Sequence, residues 1–538
     1  MINNGYRRAL KQSGAALLAL LLVLVTASSY MLVTRLNESA RLAEDYAATM
    51  KSLNLAKRAL IGYAVTYHDV YSAGNFGILP CPETNSSSEE GNQSGTCGSR
   101  NVNSLGMLPW QTLGLSPLKD GNGQCLWYAV SGAFKGGSTK AEMVNEDSTG
   151  TFQIIAADGS TVLAGSTAAS RPAAVIIAPG RALSHQSRAP AEGTICGNDY
   201  GANQYLTASA YLDAQYPDDP DSGIMNYSLS GTADAVDQFI QASDLGDEDF
   251  NDVMVYITAD DIFNAVKTRA DYDDKLYVYT AAGNLTRLVA ECLAAYAIHV
   301  NTYGTGDDDR YVLPWPAPLT VSDYRDSDDY TDYAYTGSSV NSGNNLSGRV
   351  PIVIDDTNNE LSITAGQAPD DNLIDFCIGK GVLDADDKKL WENWKDHLYY
   401  ALGEPFQPIG TGSLCGQGVR CITMNYNYAT GTTRDYAGVV KFSASALGSA
   451  GQARSESSDR ATLSNYLENI TGTNNTDNYV DGAGDSTKRY DYDGTISTAR
   501  NDIYYCINDN DGTYDFDVCK CPTDASTTFN GAADCSLP

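Results

Sequence analysis

Residues 15–33 carry no charge and are mostly apolar, and the basic side chains of Arg7, Arg8 and Lys11 stand just ahead of them. At about 1.5 Å per residue, a helix of this length roughly spans a bilayer. Residues 36–67 contain no proline and one glycine, Gly62, and are mostly good helix formers. Within them Tyr46, Met50, Leu53, Ala56, Leu60, Tyr63 and Tyr67 recur at steps of three and four, one face of a helix. The two stretches together predict one rod of roughly 80 Å, apolar all round at first and amphipathic later. Val289, Leu293, Tyr296 and Val300 repeat the helical spacing much further on. Residues 126–130, 175–177 and 253–257 are β-branched or aromatic runs bounded by Gly, Pro or Asp, and read as strands. Helices followed by antiparallel strands predict an α+β fold.

The pattern occurs twice. Ala59-Leu60-Ile61-Gly62-Tyr63-Ala64-Val65 matches Cys292-Leu293-Ala294-Ala295-Tyr296-Ala297-Ile298, and each leads to a proline corner, Leu79-Pro80-Cys81-Pro82 or Leu313-Pro314-Trp315-Pro316. Gly106-Met107-Leu108-Pro109 then matches Gly348-Arg349-Val350-Pro351. Residues 126–130 with Phe134 match 398–402 with Phe406. Ala173-Ala174-Val175-Ile176-Ile177 aligns with Tyr436-Ala437-Gly438-Val439-Val440, and both lead to Ala-Leu, at 182–183 and 446–447. Tyr211-Leu212-Asp213 matches Tyr466-Leu467-Glu468, and residues 251–257 match 501–507. An ordered series of this kind predicts that residues 45–270 and 283–515 superpose as two helix-plus-sheet units, with Tyr63 equivalent to Tyr296.

Charge and cysteine content narrow the function classes. The 538 residues carry 67 acidic against 35 basic side chains, a net charge of −32, so a partner bound through phosphates, nucleic acid above all, is not expected. Twelve cysteines in loop-rich sequence, with no C-x-x-C pair, favour disulfides in an oxidising compartment. Cys81 with Cys97 and Cys415 with Cys421 would close short loops, and Cys506, Cys519, Cys521 and Cys535 suggest a stapled tail. Zinc on those last four is the competing reading, weakened by their spacing.

Two signals fit the N-terminus. A secretory signal would be cut behind Val25-Thr26-Ala27, and a prepilin-type leader would be cut between Gly14 and Ala15. The uninterrupted helical pattern behind the apolar run favours the second. On Gly14, the apolar run and the long helix ending in Ala59-Leu60-Ile61-Gly62-Tyr63-Ala64, the chain resembles the type IV pilin and type II secretion pseudopilin superfamily. Most of its members have Glu at the fifth mature position, where this chain has Ala19. In that respect, and in its size, it is similar to large minor, tip-type pseudopilins. The resemblance implies heads that pack a helix on an antiparallel sheet. It also implies cleavage by a prepilin peptidase, methylation of the new terminus, and partners among other pilin subunits and an inner-membrane assembly platform.

Catalytic patterns are missing from the sequence. His68, His185, His299 and His397 are far apart, and neither a G-x-x-x-x-G-K-[ST] loop nor a G-x-S-x-G elbow occurs. Calcium is the one cofactor to weigh, because Asp-, Asn- and Gly-rich turns supply oxygen ligands. Asp120 and Asn122 form one candidate, in a turn similar to the calcium turn of major pseudopilins. Asp509, Asp511, Asp515 and Asp517 form another, and solvated acidic turns are the favoured reading of both.

The expected architecture is α+β: a leader (1–14), a membrane-spanning segment (15–35), a first pilin-like unit (36–270) and a second with a Cys-rich tail (271–538). The expected function is structural and not enzymatic. The chain would be a minor subunit of a pilus or pseudopilus, held in the bacterial inner membrane with its head in the periplasm or at a filament tip. A membrane-anchored binding or adhesion protein that never polymerises is the alternative, and an exported hydrolase with an unrecognised site is a third class.

Overall fold

The computed structural model describes residues 9–84, 89–95, 97–99, 101–136, 143–188, 196–197, 207–216, 218–219, 222–243, 250–276, 285–303, 312–332, 346–355, 371–408, 421–427, 432–447, 451–467, 490–491, 502–509 and 516–521. It is a mixed α+β structure. Helix α1 (Ala9–Val70) is one unbroken element of 62 residues, about 93 Å long at the α-helical rise. Its first part is exposed on all sides, with Leu17, Leu22, Tyr30 and Leu32 each more than half accessible, and it is long and apolar enough to cross a membrane. From Thr49 onward one stripe is buried: Leu53, Ala56, Leu60, Tyr63 and Ala64. Tyr46 lies outside that stripe and is exposed, so the head-bound face starts one turn later than the periodicity indicates. The helix ends where Gly74, at φ +82°, turns the chain back and donates its N–H to His68 Nδ1 at 2.7 Å.

The first sheet holds β1 (Ser104–Met107), β2 (Trp127–Val130), β5 (Ala174–Ala178) and β7 (Val253–Ile257) in the order β1-β2-β5-β7, all antiparallel. A smaller sheet is made by β3 (Phe152–Ala156), β4 (Val162–Ala164) and β6 (Asp237–Gln241), with β3 antiparallel to β4 and parallel to β6. Three helices follow: α2 (Ala259–Val266), α3 (Ala270–Leu276) and α4 (Leu285–Tyr303). Val289, Leu293, Tyr296 and Val300 of α4 are all buried.

After α4 the strand arrangement recurs. β8 (Ser347–Arg349), β9 (Leu398–Leu402), β12 (Gly438–Phe442) and β14 (Ile503–Asp509) form an antiparallel sheet in that order. β10 (Ile422–Asn427), β11 (Thr432–Tyr436) and β13 (Tyr490–Asp491) form a small one, with β10 antiparallel to β11 and parallel to β13. Matched hydrogen bonds accompany the matched strands. Leu79 N donates to Phe134 O at 2.7 Å and Leu313 N to Phe406 O at 2.6 Å. Met107 N donates to Glu83 O at 2.9 Å, and Arg349 N to Ala317 O at 2.8 Å. A Cβ on Gly106 or on Gly348 would lie 2.1 Å from those same carbonyl oxygens, so each proline corner crosses its edge strand at a residue without a side chain.

Strand pairing corrects one register expected from the sequence. Ala174 faces Val130 and Gly438 faces Leu402, while Ala173 N and Ala437 N donate to Ile257 O and Ile507 O. The equivalent of Ala173 is therefore Ala437 rather than Tyr436, and the run is shifted by one residue. A pair of small residues followed by β-branched ones tolerates either alignment in sequence, but only one puts each side chain on the right face.

The halves differ in their connections. Between β8 and β9 the chain forms α5 (Leu373–Gly379) and α6 (Ala385–Trp394), whereas β1 and β2 are joined through the Asp120 turn. Beyond β14 the chain adds β15 (Phe516–Lys520) to the sheet, whereas beyond β7 it enters α2, which packs on α1. One continuous apolar core runs from Leu53 of α1 to Cys521 and unites both halves, and Tyr272 of α3 sits in it edge-on to Phe76. A separate cluster fills the space between the first sheet and β3/β6, built on Trp127, Ile177, Phe152 and Phe239.

Candidate functional site

The residues singled out from the sequence do not converge. Gly14 and Ala15 lie in the first turns of α1. Cys81 is bridged to Cys97, and further disulfides join Cys125 to Cys196, Cys292 to Cys377 and Cys506 to Cys521. Cys421 and Cys519 are also disulfide-bonded, while Cys415 and Cys535 fall outside the described residues. With Cys506, Cys519 and Cys521 oxidised, the tail does not offer the thiolates a zinc site needs.

Asp120 organises the turn in which it stands. Its Oδ1 accepts the N–H groups of Asn122 (2.9 Å) and Gln124 (2.8 Å), and its Oδ2 accepts that of Gly180 (2.9 Å). Burial raises its pKa, and these backbone donors oppose the rise. The turn clamps α1: Gly121 N donates to Thr49 Oγ1, and Ser52 Oγ donates to the Lys119 carbonyl. A carboxylate so engaged is a turn organiser first. Asp517 stands opposite Asn508 and Asp509 opposite Phe516 on neighbouring strands, and Asp511 and Asp515 fall outside the described residues.

What the sequence did not reveal is a buried charged network between the two halves. Residues 143–148 of the first half dock against the end of α6 and the start of β9. Asn145 Nδ2 donates to Asn393 O and to Asp396 Oδ1, both at 2.9 Å. Asp147 Oδ2 lies 2.9 Å from His397 Nε2, close enough for an ion pair though off the line of a hydrogen bond, and 3.5 Å from Arg454. Arg460 donates to Asp396 Oδ2 at 2.8 Å and to the Asp147 carbonyl at 2.7 Å. Arg349 donates to the carbonyls of Leu319, Asp396 and Arg460, and stacks over the rings of Tyr399, Tyr324 and Tyr466 at 4.9–5.5 Å. Burial alone would raise the Asp147 pKa, but His397, Arg454 and Arg460 outweigh it and hold the carboxyl below its ordinary range.

Among the described residues, two groups of side chains have the donor types of a metal site, His68–Asp69–Asp271 and Asp147–Asp396–His397. In both, guanidinium already compensates the carboxylates. Arg269 bonds Asp69 and Asp271 at 2.6–2.9 Å, while Arg454 and Arg460 serve the second group. The arrangement suits a rigid joint better than an ion cradle.

A sequence signal for part of this network does exist. Gln186-Ser187-Arg188 and Gln452-Ala453-Arg454 both follow the paired Ala-Leu. In each, the Gln side-chain oxygen takes the Leu N–H (3.1 and 2.8 Å) and an arginine N–H (2.5 and 3.2 Å). Arg188 lies over Tyr211 at 5.2 Å and Arg454 over Tyr466 at 4.4 Å. The shared Q-x-R was legible as one more matched station. Its reach across to Asp147 in the second half only was not.

Clefts open on either side of the junction, with Ser148, Thr149 and Ser455 common to both; the larger is about 410 Å³. Comparison with family models, with curated proteins and with solved structures finds no match to this chain.

Proposed function

We propose that this chain is a large minor pilin- or pseudopilin-like subunit, anchored by residues 15–33 and bearing two tandem pilin-like units as its head. It starts or caps a filament, or presents the head to a partner, and carries no catalytic role. The observation that carries this reading is α1 itself: a single helix whose exposed apolar part is continuous with a stripe buried in the head. The recurrence of strand order, proline corners and Q-x-R clamps supports the tandem units. Ala19, in place of the superfamily's acidic residue, fits a subunit used once at an end rather than stacked repeatedly. The inner membrane, with a periplasmic head, is the corresponding location before assembly.

Mass spectrometry of the N-terminal peptide, after expression with a prepilin peptidase, tests the reading. An N-methylated Ala15 is expected, and a terminus at Ser28 would reject it. Sheared-filament fractions then separate an assembling subunit from a membrane-anchored binding protein that stays with the cells.

A further inference from the structure

The larger junction cleft contains one cation that the fold does not use. Of its three arginines, Arg325 is held by Asp234 and Asp323 (2.6–3.3 Å), and Arg460 by Asp396 and the Asp147 carbonyl. Arg171, in the turn before β5, lines the same cleft, and among the described residues nothing accepts a hydrogen bond from its guanidinium. Its Nε is out of contact with solvent. Two neighbouring hydroxyls, those of Thr149 and Ser455, also line the cleft without partners among the described residues. An arginine with its donors unspent is expensive to keep half-buried unless something supplies acceptors.

We propose that this cleft is a binding site for a small polar ligand bearing one carboxylate, an acidic sugar being the class that fits best. The carboxylate pairs with Arg171, and the hydroxyl groups of the ligand pair with Thr149 and Ser455. A guanidinium fork matches a planar carboxylate in two parallel hydrogen bonds, and the hydroxyls add direction. Charge selects against a dianion. Asp234, Asp323 and Glu456 also line the cleft, and only one uncommitted positive charge faces them in a chain of net charge −32. A phosphate dianion would leave a negative charge uncompensated. The volume is inside the range of about 300–1,000 Å³ that small-molecule sites occupy. The site needs neither filament assembly nor membrane insertion, so it stands or falls separately from the function proposed above.

The test uses the detergent-solubilised full chain titrated with glucuronate, glucose and inorganic phosphate, followed by ligand-observed NMR. Saturable binding of glucuronate is expected, with glucose and phosphate each at least tenfold weaker. Arg171→Gln should weaken glucuronate at least tenfold while leaving the melting temperature unchanged, because its guanidinium has no hydrogen-bond partner among the described residues to lose. Thr149→Val should give a smaller loss, and added salt should weaken binding. Equal affinity in wild type and Arg171→Gln, phosphate bound as tightly as glucuronate, or no saturable binding would each overturn the proposal.

Discussion

The two main sheets present the same row of positions on the face away from their helices, and fill it with opposite chemistry. Across the first sheet the row is Met107, Trp127, Ile177 and Met254; across the second it is Arg349, Tyr399, Lys441 and Tyr504. All eight are buried. An apolar row contributes about 1.5–3 kcal/mol per large side chain through burial alone. A cationic row starts from a desolvation penalty of several kcal/mol per charge, which cation–π contacts of about 0.5–2 kcal/mol offset only in part. Arg349 makes up the difference with three carbonyl acceptors, two of them on Asp396 and Arg460 of the junction. The first sheet thus uses this face to stabilise itself, and the second uses it to brace Asp396 and Arg460, which in turn reach the first half. One strand order accommodates both because register fixes which positions face inward, not what occupies them.

Exchanging residues between the rows is the most direct way to break this comparison. Ile177→Lys should be the most damaging, costing at least about 4 kcal/mol, since the apolar cluster around it offers a charge no acceptor. The reciprocal Lys441→Ile should be neutral or stabilising. Thermal unfolding of both variants decides the point, and equal losses would mean that the two faces are not chemically distinct.

Arg349→Ala should cost about 3–5 kcal/mol, by leaving buried carbonyls unpaired and a cavity between three tyrosines. Arg349→Met, which restores the first sheet's residue, should cost less. Hydrogen exchange along β8 and β9 would locate the loss, and protection there unchanged by Arg349→Ala would contradict the assignment.

The matched arginines sharpen the comparison further. Arg454→Ala should destabilise more than Arg188→Ala, by about 1–3 kcal/mol, because of the two only Arg454 is in ion-pair contact with a buried carboxylate, Asp147, while Arg188 acts on Asp252, Asp213 and Asp120 from further off. In an Asp147→Asn background that excess should shrink, which a double-mutant cycle measures.

The smallest effect is a pH slope. Burial lowers the Lys441 pKa from 10.5 to about 7, with Asp502 partly opposing the shift. Between those values the unfolded chain binds a proton that the folded chain does not. This group's contribution to stability therefore rises with pH across that window, by at most about 1.4 kcal/mol per pH unit. Lys441→Ile should remove that part of the slope when unfolding is followed from pH 7 to pH 10, and an unchanged slope would show that Lys441 does not titrate there.

How much of this was readable in advance depended on sequence distance. The helix stripe from Leu53 to Tyr63, the α4 face and the strands at 127–130, 174–178 and 253–257 are local patterns, and local patterns survive in sequence. The small sheets were not legible, because β3 pairs in parallel with β6 across an intervening strand of the other sheet. Nor was the junction, where Asp147 meets His397 from 250 positions away and nothing in either neighbourhood marks the pair. Among 67 acidic residues, no pattern distinguishes those that are buried, Asp213, Asp252 and Asp396 among them. The Asp120 turn was visible as a turn, but its role as a clamp depended on where α1 and Gly180 would lie.

The unbroken course of α1 also has a mechanical meaning. From the middle of the apolar run to Val70 there is no proline, and the single glycine, Gly62, sits inside the part already fixed to the head. Nothing along it can act as a swivel. With residues 15–33 in a bilayer, a tilt of about 20° would carry the far end of the helix sideways by roughly 25 Å, and the head would travel and roll with it. The head is steered by its stalk. With the helix so inserted, its orientation over the membrane would be a lever-arm property, set by the angle at which the apolar turns enter.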